Sequence, residues 1–265
     1  MQISNPTLSA APFITPDTAA TALPNITANM ALFLDFDGTL VDIAAQPELV
    51  VVPQGLTRLL AQLSGQLNGA LAIVSGRALA DLDAYLAPLK LPCAAEHGAV
   101  QRLAGQPLTA ATPPALHDVV RVASALAAQH AGLRVEVKSH AVALHYRHAP
   151  ELELLCLEAM AEAVKRTPGI ELLRGKFVLD IKPAGITKGT AIQALMDQPP
   201  FKGRLPLFAG DDTTDEAGFS VTQSIGGDTV KIGAGASLAH YRCPDPATFR
   251  QWLAISAKGL EGLQA

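Results

Sequence analysis

The chain has 265 residues, which is long enough to bury the core of one large domain or of two modest ones. Its residues are 49% hydrophobic and 17% charged, too apolar for a disordered chain, and no apolar run reaches the ~20 residues of a membrane span. With 20 basic and 24 acidic residues, the formal charge of −4 argues against a general role in nucleic-acid binding. We therefore expect no nucleic-acid and no membrane partner.

The N-terminal segment and the cysteines bear on where the protein works. Residues 1–28 are rich in Ala, Thr and Pro and lack the basic start and apolar stretch of a secretory signal, so they predict a mobile tail. Docking of this tail on the core through Phe13 or Ile14 is the alternative. The three cysteines are scattered without CxxC spacing, which favours neither a disulfide framework nor a zinc site. This pattern predicts a cytoplasmic protein.

Residues 29–106 alternate short apolar runs with helical stretches, as parallel βαβ units do. The runs Met30–Leu34 and Leu71–Val74 are continuously apolar and predict buried strands. Helical spacing between them predicts a helix whose apolar face carries Leu56, Leu59, Leu60, Leu63 and Leu67. A helix over residues 79–86 and a short strand over residues 93–96 are predicted next.

Residues 107–182 break this rhythm and predict an inserted α+β unit. A Pro-rich stretch separates the unit from the core, and helix, two strands, helix and two strands follow it. Alternation along the strands places polar side chains on one face of the sheet, and we expect helices to cover the other. These polar faces carry Arg134, Glu136, Lys138, His145, Arg147, Lys176 and Asp180.

Residues 183–265 return to the α/β pattern and are predicted to complete the core. Thr187 is a helix N-cap ahead of apolar residues at helical spacing, and residues 205–209 form another apolar strand. The chain as a whole predicts a Rossmann-like α/β core with a parallel sheet and an inserted α+β unit of order αββαββ.

Two carboxylates emerge where the first predicted strand ends. Asp35 and Asp37 are two residues apart, so they point to the same side before Gly38 permits a sharp turn. In open α/β sheets, ligands bind at the carboxyl ends of the strands. One carboxylate of such a pair can attack a substrate while the other moves protons. The alternative is an Asp–Gly turn with ordinary solvated acids.

Two other positions carry groups suited to phosphate. Ser75 and Gly76 follow the second strand and offer a hydroxyl and backbone amides at the same edge of the sheet. Lys188 begins a predicted helix, where an ammonium and free amides both favour a phosphoryl group. Each signal is weak alone, because a Ser–Gly turn and a surface lysine are the ordinary interpretations.

Four acidic residues gather just after the strand of residues 205–209, namely Asp211, Asp212, Asp215 and Glu216. Their mutual repulsion makes the cluster costly without a cation, and oxygen ligands of this kind favour Mg²⁺. The alternative is a solvated helix start, where acidic residues are favourable.

In this order the motifs resemble those of the haloacid dehalogenase (HAD) superfamily, and more narrowly those of the trehalose-6-phosphate phosphatase family. The wider resemblance rests on Asp35-Phe-Asp-Gly-Thr39, Ser75, Lys188 and Gly210-Asp-Asp-x-x-Asp215. The narrower one rests on Val74-Ser-Gly-Arg77, Glu96-His-Gly98, Arg174-Gly-Lys176 and Gly210-Asp-Asp-Thr-Thr-Asp-Glu216. The resemblance covers about residues 31–231 and implies that the inserted unit is a mobile cap of the C2B type.

The resemblance also implies roles for the matched residues. Asp35 would be the nucleophile, Asp37 the general acid and base, and Ser75 and Lys188 would hold the phosphate. The implied ligands of Mg²⁺ are Asp35, Asp37 through its backbone carbonyl, Asp211 and, as further candidates, Asp212 and Asp215. The implied substrate contacts are Gly38, Thr39, Gly76, Arg77, His97, Gly98, Glu136, Lys138, Arg147, Lys176 and Asp180.

The implied activity is hydrolysis of trehalose 6-phosphate by a Mg²⁺-dependent enzyme through an aspartyl-phosphate, and we expect a monomer. One position departs from the family, which usually has Glu where this chain has Asp180. The alternatives are a phosphatase for sucrose phosphate or a mannosyl phosphate, a phosphomutase, and a non-catalytic module that binds sugar phosphates.

Overall fold

The computed structural model describes residues 23–261 of the chain. In chain order its strands are β1 (Met30–Leu34), β2 (Leu71–Val74), β3 (Cys93–Ala95), β4 (Val100–Arg102), β5 (Thr109–Ala110), β6 (Arg134–Val137), β7 (Val142–His145), β8 (Ile170–Gly175), β9 (Val178–Pro183), β10 (Leu205–Gly210), β11 (Asp228–Ile232) and β12 (Tyr241–Cys243). Its α-helices are α1 (Leu56–Gln66), α2 (Leu79–Leu86), α3 (His117–Gln129), α4 (Glu153–Lys165), α5 (Lys188–Met196), α6 (Glu216–Ser224) and α7 (Pro246–Glu261).

The core sheet confirms the predicted α/β class. Over the described residues its order is β12-β11-β10-β1-β2-β3-β4-β5, with β1 paired in parallel to both β10 and β2. The edge hairpin β4–β5 is antiparallel and was not predicted from the sequence. Strand β5 lies in the Pro-rich stretch that was assigned to the inserted unit. Its pairing with β4 extends the core sheet to Ala110, beyond the predicted end of the first core segment at residue 106.

The core is apolar because its central strands are buried on both faces. All five residues of β1 are buried, as expected for a strand covered by helices on each side of a parallel sheet. On α1 the predicted apolar face packs inward through Leu56, Leu60 and Leu63. Ile26 is also buried in this core, so the core begins within the segment predicted to be a tail. Residues 1–22 of that segment, including Phe13 and Ile14, lie outside the described residues.

The inserted unit, called the cap below, forms its own layer, with the predicted order of helices and strands. Its antiparallel sheet has the order β6-β7-β9-β8 over the described residues. Helices α3 and α4 cover one face and build a second hydrophobic cluster around Val119, Leu144, Cys156, Met160 and Leu179. The other face carries the charged side chains and lies toward the core.

The order of the core strands determines where a ligand can bind. From β1 the chain moves outward to β2 and β3, and after the cap it returns to β10 on the other side of β1. Ligands of open α/β sheets bind at the carboxyl ends of the strands next to such a reversal. These ends lie beneath the polar face of the cap. Among residues 23–261, no helix is both long and apolar enough to cross a membrane.

Candidate active site

Asp35 lies at the carboxyl end of β1 and is only 4% exposed. Its backbone N–H donates to the Ala209 carbonyl of β10, which fixes the backbone where the two strands end. One carboxylate oxygen accepts a hydrogen bond from the Lys188 ammonium at 2.7 Å, and the other accepts one from the Thr39 hydroxyl at 3.3 Å. The carboxylate is therefore buried and oriented by both a charged and a neutral donor.

Lys188 is the first residue of α5, as predicted, and its helix start is fixed by a capping box. The Thr187 side chain accepts from the backbone N–H of Thr190, and the Thr190 side chain accepts from that of Thr187. The ammonium of Lys188 also contacts Asp215 at 2.6 Å. Asp215 and Asp35 outweigh the burial of this ammonium and hold the pKa of Lys188 well above its ordinary value, so it is charged at neutral pH.

Asp35, Asp211 and Asp215 bring carboxylate oxygens within 4.8 Å of one another. Burial, together with repulsion from Asp215 and Asp211, raises the pKa of Asp35 well above its ordinary value. Burial and repulsion from Asp215 likewise raise the pKa of Asp211 to about 7. Lys188 therefore does not fully compensate the cluster, and a further cation would stabilise the charged carboxylates. Hard oxygen donors at this spacing suit a divalent ion such as Mg²⁺.

The acidic residues after β10 differ in how they are held. Asp215 is fully buried, and one of its oxygens accepts from the backbone N–H groups of both Asp211 and Asp212 at 2.9 Å. Gly38 is required beside this cluster, because its φ is +77° and a side chain there would collide with the Asp211 carboxylate. The Asp212 side chain accepts from the backbone N–H of Lys176 in the cap at 3.0 Å.

Ser75 directly follows the neighbouring strand β2, is buried and lines the cavity. Its backbone carbonyl accepts from the N–H of His97 at 2.9 Å. Glu96 and His97 both have positive φ, at 49° and 60°, an unusual and strained conformation for residues other than glycine. This turn places the His97 ring over Gly76, where a Cβ would come within 2.7 Å of the ring.

Asp37 has a different environment from Asp35. Its two oxygens accept hydrogen bonds from Arg77, from Nε at 2.6 Å and from Nη2 at 2.8 Å. The Asp37 side chain remains 34% exposed, and both residues line the cavity. The two carboxylates of the Asp-Phe-Asp motif are thus held by separate cations, Asp35 by Lys188 and Asp37 by Arg77.

The polar face of the cap contributes a second group of charges. Lys138 donates to the Gly76 carbonyl of the core at 2.9 Å and lies 3.6 Å from Asp180 and 3.7 Å from Glu136. These carboxylates outweigh its burial and raise the pKa of Lys138. Burial would raise the pKa of Asp180, but Lys138 and His97 outweigh it and hold that pKa below its ordinary range. Lys138 and Asp180 are therefore in their charged forms at neutral pH.

Core and cap enclose one continuous cavity of about 430 Å³. Its core side includes Asp35, Ser75, Lys188 and Asp211, and its cap side includes Glu136, Lys138, Arg147, Lys176 and Asp180. Contacts between the two layers surround it: Arg134 of the cap pairs with Glu48 of the core, and the backbone N–H of His140 donates to Glu96 at 2.7 Å. The cavity thus has acidic residues and Lys188 on its core side and charged, hydrogen-bonding side chains on its cap side.

Most of the predicted site residues come together in this cavity, including Asp37, Gly76, Arg77, His97 and Asp212. Four do not: within the described residues, Gly38, Thr39, Gly98 and Asp215 are absent from its wall. Thr39 is fully buried and supports Asp35, while Gly38 lies against Asp211. The predicted contacts of Gly38, Thr39 and Gly98 with substrate stay predictions from the sequence.

Sequence reasoning missed other residues of the site. His145 lines the cavity, and its Nε2 lies 2.9 Å from a carboxylate oxygen of Glu136, but it was identified only as part of a polar strand face. Its alternation with Arg147 along the chain was the available signal. No comparable signal marked His140, whose contact with Glu96 exists only because the cap folds over the core.

Comparison with solved structures identifies the fold. The C-terminal domain of Candida albicans trehalose-6-phosphate phosphatase superposes with a TM-score of 0.79 and 21% identity, covering 87% of this chain and 92% of that domain. A Bacteroides thetaiotaomicron phosphatase of the haloalkanoate (HAD) enzyme superfamily superposes with a TM-score of 0.58 and 17% identity, covering 91% of this chain and 100% of its own. The fold, with Asp35 at the end of its central strand, is that of the HAD-superfamily phosphatases.

The sequence narrows this class further. The family model for trehalose-phosphatase matches residues 33–243. The trehalose-6-phosphate phosphatase of Escherichia coli (strain K12) is 40% identical over 243 residues, covering 91% of this chain and 91% of that protein. A probable trehalose-phosphate phosphatase of Sinorhizobium fredii is 40% identical over 239 residues, covering 89% and 87% of the two chains. The chain belongs to the trehalose-phosphatase family.

Proposed function

We propose that this protein hydrolyses trehalose 6-phosphate to trehalose and inorganic phosphate, with Asp35 as the nucleophile. One observation carries the proposal: the buried Asp35 carboxylate and the charged face of the cap line the same cavity. A volume of about 430 Å³ lies within the ~300–1,000 Å³ typical of small-ligand pockets. Family membership supports trehalose 6-phosphate as the substrate, since the Escherichia coli relative carries that activity in its name.

The reaction proceeds in two displacements at phosphorus. The Asp35 carboxylate attacks the phosphorus in line, the bond from phosphorus to the sugar oxygen breaks, and Asp37 protonates the leaving oxygen. Water then attacks the aspartyl-phosphate, Asp37 takes the proton from that water, and the bond from phosphorus to Asp35 breaks. Inorganic phosphate leaves, with Asp35 again an ionised carboxylate and Asp37 again the protonated acid with which the cycle began.

Ser75 and Lys188 hold the phosphoryl group during both displacements. The Lys188 ammonium lies 2.7 Å from Asp35, so a phosphoryl oxygen next to the nucleophile lies within its reach. Charge on the transferring phosphoryl group is spread over its equatorial oxygens, and positioned cations stabilise it. The Ser75 hydroxyl supplies a neutral donor from the adjacent strand.

The acidic cluster fits a divalent cation, and we propose Mg²⁺. Asp35, Asp211 and the backbone carbonyl of Asp37 would hold it, with Asp212 supporting from the cavity wall. Asp215 is less suited, because its oxygens already accept from Lys188 and from two backbone N–H groups. When bound, Mg²⁺ would neutralise charge on the phosphate and let a carboxylate approach it.

The cap binds the sugar beyond the phosphate. Glu136 and Asp180 accept hydrogen bonds from sugar hydroxyls, while Lys138, Arg147 and Lys176 donate to sugar oxygens. One oxygen of Asp180 has no hydrogen-bond partner among residues 23–261, although it is buried at the cavity. Such a group gains from a substrate hydroxyl and penalises a substrate that lacks one.

Phosphate release from a panel of substrates tests the proposal. The panel contains trehalose 6-phosphate, sucrose phosphate, a mannosyl phosphate and glucose 6-phosphate, and each is assayed in buffer with and without Mg²⁺. Trehalose 6-phosphate should have the highest kcat/KM of the four. Product analysis must find free sugar rather than an isomeric sugar phosphate, which would instead indicate a phosphomutase. A higher kcat/KM for another sugar phosphate would contradict the substrate assignment. A cytoplasmic location and a monomeric state stay predictions from the sequence.

A further inference from the structure

Arg77 lines the cavity and forms an ion pair with Asp37, the proposed general acid and base. Nε and Nη2 of one guanidinium contact both oxygens of the carboxylate at 2.6 and 2.8 Å. A pair with two parallel hydrogen bonds fixes the plane of the carboxylate as well as its distance. Each carboxylate oxygen keeps a second lone pair, and the Asp37 side chain remains 34% exposed at the cavity. The pair therefore orients Asp37 without blocking it.

Arg77 is itself held in place. Its guanidinium lies over the ring of Tyr85 at 5.0 Å and near that of Phe36 at 5.9 Å. The Tyr85 hydroxyl donates to the Pro47 carbonyl at 2.9 Å, which anchors the ring to the loop after the Asp-Phe-Asp motif. With its side chain only 11% exposed, Arg77 has little freedom to move away from Asp37. A group held this way can position its neighbour.

We propose that Arg77 is a positioning residue that aims the Asp37 carboxylate at the leaving oxygen, rather than a ligand of the phosphate. The inference rests on the proposed function of Asp37 as the general acid and base. Proton transfer requires the acid within hydrogen-bond reach of the oxygen, and a misoriented carboxylate loses that reach. The sequence resemblance had instead implied a substrate contact for Arg77.

The two roles predict different dependence on the leaving group. A residue that binds the phosphate raises kcat/KM for every substrate. A residue that orients the general acid raises it only for substrates whose leaving oxygen needs a proton. We expect Arg77→Ala to lower kcat/KM on trehalose 6-phosphate by about 100-fold, near the lower end of what general acid catalysis contributes. On 2,4-dinitrophenyl phosphate, whose leaving group needs no proton, the loss should be about threefold or less.

The experiment measures kcat/KM for a series of aryl phosphates that differ in the pKa of their phenols. Arg77→Ala should steepen the dependence on leaving-group pKa relative to the wild type. In an Asp37→Asn background, the same substitution should cause no further steepening, because the two residues act through one proton transfer. Guanidinium chloride added at millimolar concentration should restore part of the lost rate for poor leaving groups only.

Controls separate this role from a structural one. Arg102 forms a comparable pair with Asp83 at 2.8 Å, outside the cavity wall, so Arg102→Ala should leave the leaving-group dependence unchanged. Circular dichroism checks that each variant is folded. If Arg77→Ala does not fold, Arg77→Lys keeps the charge without the two-pronged geometry and should show the same selective loss on poor leaving groups.

An equal loss for all leaving groups would overturn the proposal and make Arg77 a phosphate ligand. Additional steepening in the Asp37→Asn background would also overturn it. Because the aryl series contains no sugar, it gives its result whether or not trehalose 6-phosphate is the substrate. Failure of the substrate assignment is therefore distinguishable from failure of the role of Arg77.

Discussion

Replacement of Asp180 by Asn tests whether the cap binds the sugar of the substrate. Asp180 lies on β9, 5% exposed, with Lys138 Nζ and His97 Nε2 each at 3.6 Å. Both ring nitrogens of His97 and one oxygen of Asp180 find no hydrogen-bond partner among residues 23–261, although all are buried. The amide keeps the size of the side chain and removes its charge. A bound hydroxyl would lose its charged acceptor.

The expected magnitude follows from one hydrogen bond to a charged group. Such a bond contributes about 1.5–3 kcal/mol, which corresponds to a factor of about 10 to 150 in kcat/KM. The effect should be confined to substrates that carry the sugar. An aryl phosphate makes no hydrogen bond to Asp180, so its kcat/KM should change by about threefold or less.

The assay compares phosphate release from trehalose 6-phosphate and from 4-nitrophenyl phosphate in three variants. Asp180→Glu keeps the carboxylate and restores the side chain that is usual in the family, so it should retain more activity on the sugar than Asp180→Asn. Glu171→Gln is a matched control, because Glu171 is also a cap carboxylate paired with a lysine, Lys182, but it lies outside the cavity wall. It should not change the ratio of the two activities.

Equal losses on both substrates would refute the reasoning, because they would place the effect of Asp180 on the chemistry or on folding. Unchanged activity on both would show that this face of the cap is merely solvated. In either case the assignment of the cap as the sugar-binding layer would lose its main physical support, while the role of Asp35 would be unaffected.

Three further outcomes are expected. Asp35→Asn should abolish turnover while circular dichroism remains unchanged, since an amide is not a useful nucleophile; normal turnover would remove Asp35 from the mechanism. Chelation of divalent ions should stop activity and added Mg²⁺ should restore it, and full activity in metal-free buffer would reject the metal site. Met160→Ala should lower the free energy of unfolding by about 2–5 kcal/mol in urea titrations, because Met160 is fully buried in the cap cluster; a loss below about 1 kcal/mol would contradict that packing.

Elements with a continuous or strongly periodic pattern were predictable from the sequence. Strands β1 and β2 and helix α2 have the predicted bounds, Met30–Leu34, Leu71–Val74 and Leu79–Leu86. A strand buried on both faces must be apolar throughout, and this requirement is visible in the residues themselves. By contrast, β4 and β5 are three and two residues long and gain their identity from pairing, so no local pattern marks them.

The contacts of the site were less predictable than its residues. Asp35 and Lys188 were both singled out, but their 2.7 Å contact joins positions 153 residues apart. The pairing of Asp37 with Arg77 spans 40 residues, and that of Glu96 with the His140 backbone joins core to cap. Each depends on how loops and layers meet, which sequence periodicity does not encode.

The sequence by itself determined which chemical groups this protein has at its strand ends and which cap residues share a polar face. Local rules of burial and alternation suffice for that, because the position of a residue along a strand or helix determines the face on which its side chain lies. Only the tertiary structure decided how those groups pair: Arg77 with Asp37, His145 with Glu136, and Lys138 with the Gly76 carbonyl. Arg77 and Asp37 meet where loops of the core come together, and His145 and Glu136 meet across the neighbouring cap strands β6 and β7. Lys138 reaches the Gly76 carbonyl because the cap closes over the carboxyl edge of the sheet, where a buried charge needs a partner.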